Sequence, residues 1–142
     1  MADLKIVIGT KEGKSYQKEL KDQQAEFFHG KRVSDTVGGD QIGLSGYEFL
    51  ITGGSDKCGF PMRKGIQMHR KKVFIGKSVG FSGQDRMGQK QAGLLKKRTV
   101  CGERITRIIT QVNLKVTKEG AQPLGGEEAK AEKAKVESVN AK

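Results

Sequence analysis

The side chains best suited to chemistry in this sequence are cations, and they cluster between glycines. The segment 57–107 holds 14 basic and two acidic residues, a net charge of +12, whereas the rest of the chain has a net charge of −1. Guanidinium and ammonium groups bind phosphate oxygens, and glycine lets the backbone approach a phosphate closely. So localised a basic field predicts a polyanionic partner. Nucleic acid fits better than a membrane surface, because the segment has no long amphipathic helix.

Eleven side chains of this segment form the predicted RNA-binding set. Ten are lysines or arginines that would bind phosphates, and His69 could stack on a base. The set comprises Lys57, Arg63, Lys64, His69, Arg70, Lys71, Lys72, Lys77, Lys96, Lys97 and Arg98. Two phenylalanines, Phe74 and Phe81, could also stack on exposed bases. For Phe74 the apolar neighbours Val73 and Ile75 favour a place in a core instead.

Patterns that would indicate nucleotide hydrolysis are incomplete. The segment 9–15, GTKEGKS, resembles a phosphate-binding loop but has three residues between its glycines where four are required. A second GKS at 76–78 has Lys71 where the first glycine should stand. Neither is followed by the alternating strands and helices of a nucleotide-binding sheet. We therefore read 9–15 as part of a hairpin turn.

Metal and acid–base sites are equally weak. The two cysteines, Cys58 and Cys101, and the two histidines lack the paired spacing of a zinc site. The only acids in the basic segment are Asp85 and Glu103, which leaves little for general acid–base catalysis. The sequence thus predicts no catalytic residue, no metal, no cofactor and no small-molecule substrate.

Length and composition predict one domain in a reducing cytoplasm. The chain has 142 residues, about the size of one modest core. It has no apolar run long enough to cross a membrane and no secretory signal at its start. Two distant cysteines do not form a disulfide framework.

Short strands are predicted to position the cations. Apolar alternation indicates strands at 4–9, 47–52, 71–76 and 110–116, and 80–93 is predicted to be an extended loop. A returning strand to about Leu20 and a short helix are expected next to the first strand, with Asp22 as N-cap and Gly30 just past the C-terminus. The fold class is mainly β, a small barrel-like body with one short helix, over residues 1–117. Residues 118–142 are expected to be a flexible low-complexity tail.

The glycine-rich loop 53–65, GGSDKCGFPMRKG, is predicted to be held in one conformation rather than to be flexible. Gly53 and Gly54 are expected to end a strand and to permit positive φ, so that amides converge on an anion or on Asp56. Asp56 could also cap the turn. Pro61 stiffens the exit, and Met62 with Phe60 would anchor the loop on the core, which presents the next two cations to a rigid partner.

Residues 51–62, ITGGSDKCGFPM, resemble the signature of the small-subunit ribosomal protein S6e family of archaea and eukaryotes. The matching positions are Ile51, Thr52, Gly53, Gly54, Asp56, Gly59, Pro61 and Met62. The likeness extends over roughly residues 1–117 and implies a non-catalytic, rRNA-binding component of the small ribosomal subunit. Its implied partners are small-subunit rRNA and neighbouring ribosomal proteins, in the cytoplasm. An RNA-binding regulator or chaperone acting off the ribosome is the alternative.

Departures from the family pattern refine this resemblance, among them Val100-Cys101-Gly102 where the family usually has Val-Arg-Gly. The arginine run usual after Phe81 is replaced by a longer and nearly neutral stretch, so the cations implied most strongly are Lys96, Lys97 and Arg98. The long basic C-terminal helix of eukaryotic members is absent, which implies the archaeal branch.

Overall fold

The computed structural model describes residues 4–120 and 124 of the chain. Its elements, in chain order, are β1 Leu4–Gly9, β2 Ser15–Leu20, α1 Asp22–Glu26, β3 Thr36–Gly38, a 3-10 turn Asp40–Ile42, β4 Glu48–Asp56, β5 Arg70–Ile75, β6 Lys96–Cys101 and β7 Ile109–Lys118. The prediction of a mainly β fold with one short helix is confirmed. The predicted tail at 118–142 lies outside the described residues, apart from the end of β7, positions 119–120 and position 124.

The strands form two separate sheets. Five of them make a sheet in the order β2-β1-β7-β4-β3, here called the body, and β5 pairs with β6 in a two-stranded antiparallel ribbon, here called the basic ribbon. Within the body β1 runs parallel to β7, and the other neighbours are antiparallel. The central strand β7 therefore joins the N-terminal hairpin to β4.

The core of the body follows from alternation along its strands. In β1 the side chains of Leu4, Ile6 and Ile8 are buried, and in β7 every second residue from Val112 to Val116 is buried as well. Phe28, just beyond α1, is also buried in this core. Fully burying one such side chain contributes roughly 1.5–3 kcal/mol, so these strands are held mainly by their apolar faces.

Several local predictions need correction. The helix N-cap is Lys21 rather than Asp22, and α1 ends at Glu26, with Phe27 as its C-cap. Gly30 has φ 85° and closes the turns after the helix, not the helix itself. Strands β3 and β6 were not predicted, because β3 has three residues and β6 begins with three cations rather than apolar alternation.

The largest correction concerns the start of the glycine-rich loop. Strand β4 continues through Gly53 and Gly54 to Asp56, with register shifts against β7 between Ile51 and Gly53 and again between Ser55 and Asp56. Neither glycine has positive φ, so the predicted reason for glycine was wrong at both positions. At Gly54 the reason is close approach: a Cβ there would clash with the carbonyl oxygen of Gln111 and lie 3.0 Å from Met62 Sδ.

Candidate nucleic-acid-binding surface

A buried carboxylate organises the loop that joins the body to the basic ribbon. Asp56 Oδ1 accepts hydrogen bonds from the backbone N–H groups of Cys58 (2.8 Å) and Phe60 (3.0 Å). Its Oδ2 accepts one from Arg70 Nε at 2.7 Å and one from Cys101 Sγ at 3.2 Å. The predicted turn cap by Asp56 is confirmed, and the same side chain also ties the loop to β5 and β6.

The Asp56 carboxylate remains ionised within this cluster. Burial alone would raise the pKa of Asp56. The hydrogen bonds from Cys101, Phe60, Arg70 and Cys58 together lower it by more than burial raises it, so the pKa lies below its ordinary value. The Arg70 guanidinium supplies the opposite charge, which a buried carboxylate requires.

The residues after this turn form a short bridge between the two sheets. Met62 N–H donates to the Gly54 carbonyl at 2.8 Å, and the Pro61 carbonyl accepts from Cys101 N–H at 2.9 Å. Arg63 N–H then donates to the Cys101 carbonyl at 3.1 Å. The Met62 side chain is buried in the core of the body. The predicted anchoring of the loop by Met62 is confirmed, and the loop holds the ribbon against the body.

The two cysteines at this junction should differ in reactivity. Cys58 is exposed, whereas Cys101 is buried, and burial together with the hydrogen bond to Asp56 raises the pKa of Cys101 to about 11. Because the thiolate is the nucleophile, we expect iodoacetamide at pH 8 to alkylate one thiol per native chain and both in denaturant, counted by mass spectrometry. Equal rates for both thiols in the native protein would contradict the buried cluster.

The basic ribbon has two different faces. On one face Ile75 and Val100 pack against Phe81 in a small second core. Lys96 and Arg98 cover this core, each with its charged group 5.8 Å from the Phe81 ring centroid. The predicted stacking of Phe81 on a base is therefore not favoured, because the ring is buried.

The other face of the ribbon carries Lys72, Phe74 and Lys97, which are exposed, and Thr99, which is half-buried. Phe74 lies opposite Lys97, and Lys72 lies opposite Thr99. The Phe74 ring is 70% exposed, so its expected core position was wrong. It points away from the core because its neighbours Val73 and Ile75 point toward it, as alternation along a strand requires.

Most of the predicted RNA-binding set is accessible. Arg63 and Lys96 are half-buried, and the other side chains of the set are exposed. Six of the set lie on the basic ribbon, namely Arg70, Lys71, Lys72, Lys96, Lys97 and Arg98. The other five lie in the connecting loops, where Arg63 donates to Ser78 Oγ at 3.1 Å and Lys64 to Ser34 Oγ at 3.5 Å.

Arg70 has an internal role that sequence reasoning missed. Besides the ion pair with Asp56, its Nη2 lies 3.4 Å from Cys58 Sγ and its guanidinium carbon 5.4 Å from the Phe60 ring centroid. The side chain is 38% exposed, so one edge of the fork still faces solvent. No local pattern marks this pairing, because the partner carboxylate lies 14 positions earlier.

A second feature missed from sequence is a cleft beside the ribbon. His69, Met68, Arg32 and Arg104 are among the residues that line this cleft of about 410 Å³. An isolated bridge between Arg32 and Arg104 brings the two arginines together. These cations extend the positive surface beyond the predicted set, although Arg32 also pairs with Glu103 at 3.7 Å.

Other classes of site find no support in the part of the chain that is described. Across residues 4–120 and 124, no three His, Cys, Asp or Glu side chains come together as metal ligands would. Among the same residues no helix has the length and apolarity needed to span a bilayer. The fold and surface define a small basic β protein with a broad cationic surface on the ribbon and its flanking loops.

The chain belongs to the ribosomal protein S6e family, whose model matches residues 4–128. It is similar to the small ribosomal subunit protein eS6 of Methanococcus maripaludis strain C7, with 38% identity over 128 residues, 89% of this chain and 96% of the relative. The eS6 of Methanoculleus marisnigri is 36% identical over 87% of this chain and 91% of its own length. That of Natronomonas pharaonis is 35% identical over 90% and 98% respectively. These archaeal relatives confirm the predicted family and branch.

Proposed function

We propose that this protein is a structural component of the small ribosomal subunit that binds small-subunit rRNA through the basic ribbon and its flanking loops. The observation that carries the proposal is the concentration of exposed cations on β5 and β6, on both faces of one ribbon. Family membership confirms that the protein is a ribosomal component of the cytoplasm and not an enzyme. Neighbouring small-subunit proteins are proposed as its further partners.

The shape of the ribbon indicates which parts of RNA it would contact. The major groove of A-form RNA is too deep and narrow for side chains to read, so contacts go to phosphates, 2′-hydroxyls and unpaired bases. Lys71 and Arg98 extend from one face of the ribbon, and Lys72 and Lys97 from the other. A ribbon with cations on both faces suits a position between two RNA segments, each of which it neutralises in part.

The braced junction supports the same role. The Asp56 cluster and the bridge at Pro61 and Met62 fix the ribbon to the body through hydrogen bonds from three segments of the chain. A surface that is already ordered loses less conformational freedom when it binds. The body would thus act as a rigid base that presents the ribbon to rRNA.

The test is co-sedimentation with small subunits after washes of increasing salt. A ribbon variant combines Lys71→Gln, Lys72→Gln and Lys97→Gln, and a matched control combines Lys11→Gln, Lys21→Gln and Lys115→Gln, which are also exposed but lie outside the ribbon. Log affinity falls as log salt rises, and each lost phosphate contact makes this fall less steep by about 0.7–0.9. We expect the control to remain at about one copy per subunit, and the ribbon variant to be released at lower salt.

Two outcomes would contradict the proposal. If the wild-type protein stayed at the top of the gradient at low salt, the protein would be a free RNA-binding factor rather than a subunit component. If the ribbon variant and the control were released at the same salt concentration, binding would depend on some other surface.

A further inference from the structure

We propose that Phe74 is a stacking platform for an unpaired RNA nucleotide, whose flanking phosphates bind Lys72 and Lys97. The inference rests on the proposed function and specifies its RNA partner: an unpaired segment rather than a helix. It concerns the solvent-facing side of the basic ribbon, opposite the face that packs on Phe81.

Phe74 differs from every other aromatic residue of the chain. The six phenylalanines and two tyrosines all lie among the described residues, and Phe74 is the one whose side chain is largely exposed. Phe81, on the opposite face of the ribbon, is only 7% exposed. The ring of Phe74 is thus free to contact a partner, whereas the other aromatic side chains are at least partly buried.

Its surroundings indicate what kind of partner fits. Lys97 lies directly across the strand pair, with Nζ 5.7 Å from the Phe74 ring centroid, and Lys72 lies two residues earlier on the same face. An apolar protein surface docking on this ring would also have to desolvate the two ammonium groups, which is unfavourable. A nucleotide instead offers a π-face for the ring and phosphate oxygens for the lysines.

The spacing is compatible with this arrangement. Same-face neighbours along a strand are about 7 Å apart and cross-strand partners about 5 Å apart. Lysine side chains at those distances reach past the ring edge to phosphates on either side of a stacked base. Stacking of this kind tolerates any base, because every base has a π-face.

Leu95 is an exposed apolar side chain directly before β6. Its Cδ2 lies 3.6 Å from where a Cβ on Gly76 would stand, just past the end of β5. Leu95 has no π-face, so it provides the matched control. A general apolar contact would use Leu95 and Phe74 alike, whereas stacking requires the aromatic ring.

A fluorescence experiment reports stacking directly. The chain contains no tryptophan, so Phe74→Trp creates a single fluorophore at the proposed platform without touching a core position. We expect a 12-nucleotide single-stranded RNA to quench this fluorescence on binding, and a blunt 12-base-pair RNA duplex to leave it nearly unchanged.

Affinities of three full-length variants complete the test. For the single strand we expect Phe74→Ala and Phe74→Leu each to bind about 5- to 150-fold more weakly than wild type, equivalent to roughly 1–3 kcal/mol per stacked base. Leu95→Ala should stay within about twofold of wild type. The salt slope of Phe74→Ala should equal that of wild type, because no phosphate contact is lost.

The outcomes separate this inference from the proposed function. If wild-type protein bound neither RNA at low salt, the proposed function itself would fail. If wild type bound with a steep salt dependence while Phe74→Ala or Phe74→Leu matched it, only the stacking platform would be overturned. Unchanged RNA affinity of Phe74→Ala, together with its loss from small subunits, would assign the ring to a protein neighbour and overturn the platform as well.

Discussion

Asp56→Asn is expected to lower the free energy of unfolding by about 2–4 kcal/mol. Removing one partner of a buried ion pair typically costs roughly 3–5 kcal/mol, and we place this change lower because the Arg70 side chain is 38% exposed. The amide keeps an oxygen for the N–H groups of Cys58 and Phe60. Its NH₂ group, however, faces two donors, Arg70 and Cys101, and satisfies neither.

Urea denaturation at pH 7 measures this loss, with Glu48→Gln as the matched control. Glu48 also pairs with a cation, since Lys118 Nζ lies 2.6 Å from its Oε1, but both side chains of that pair are solvent-exposed to a large extent. Exposed pairs contribute about 0–1 kcal/mol. If both variants lost the same stability, the Asp56 cluster would not brace the junction as described.

The same residue gives the protein a pH dependence of known sign. The pKa of Asp56 is lower in the folded protein than its ordinary value, so its ionisation stabilises the folded state above the unfolded pKa of about 3.9. That contribution is lost as the pH falls through the folded pKa. Wild-type stability should therefore fall more steeply below about pH 4 than the stability of Asp56→Asn.

Gly54→Ala is expected to lower the free energy of unfolding by about 2 kcal/mol or more, while Gly53→Ala should change it by less than about 1 kcal/mol. At Gly54 a Cβ would meet the backbone carbonyl of Gln111, which belongs to the central strand β7 and cannot move without breaking the sheet. Overpacking of this kind costs roughly 1–3 kcal/mol, sometimes more. At Gly53 a Cβ would meet nothing within 4 Å.

The adjacent glycines control for each other, since both substitutions add one methyl group to the same strand. Urea denaturation of the two variants gives the comparison. Gly54→Ala should also weaken the link between body and ribbon, because Met62 donates to the Gly54 carbonyl and its Sδ lies 3.0 Å from the added Cβ. Equal stability of the two variants would show that the close approach at Gly54 is relaxed at little cost.

Strands β1 and β7, with clear apolar alternation, were predictable from sequence, whereas β3 and β6 were not. Residues 4–9 and 110–116 alternate, and both appear in the sheet, where β7 extends from Ile109 to Lys118. Strand β6 starts with Lys96, Lys97 and Arg98, whose pairing with β5 leaves no apolar signal until Val100. The parallel contact of β1 with β7 joins the two ends of the described chain, and no local pattern encodes it.

In the candidate site, too, some features were predictable from sequence and others were not. Its cations were predictable because charge is visible in composition, and the cap at Asp56 because it acts on residues two and four positions later. The ion pair with Arg70 was not predictable, because it depends on how the loop folds back. The exposure of Phe74 was predictable in principle, because alternation along a strand at 71–76 places Phe74 on the face opposite Val73 and Ile75.

The sheet order has a consequence for synthesis of the chain. The strands of the basic ribbon lie within residues 70–101, whereas the body needs β7, which ends at Lys118 and separates β1 from β4. A nascent polypeptide that has emerged only to residue 105 holds the complete ribbon but lacks the strand that unites the rest. The ribbon, which we propose binds rRNA, can therefore be translated in full before the scaffold that carries it can close.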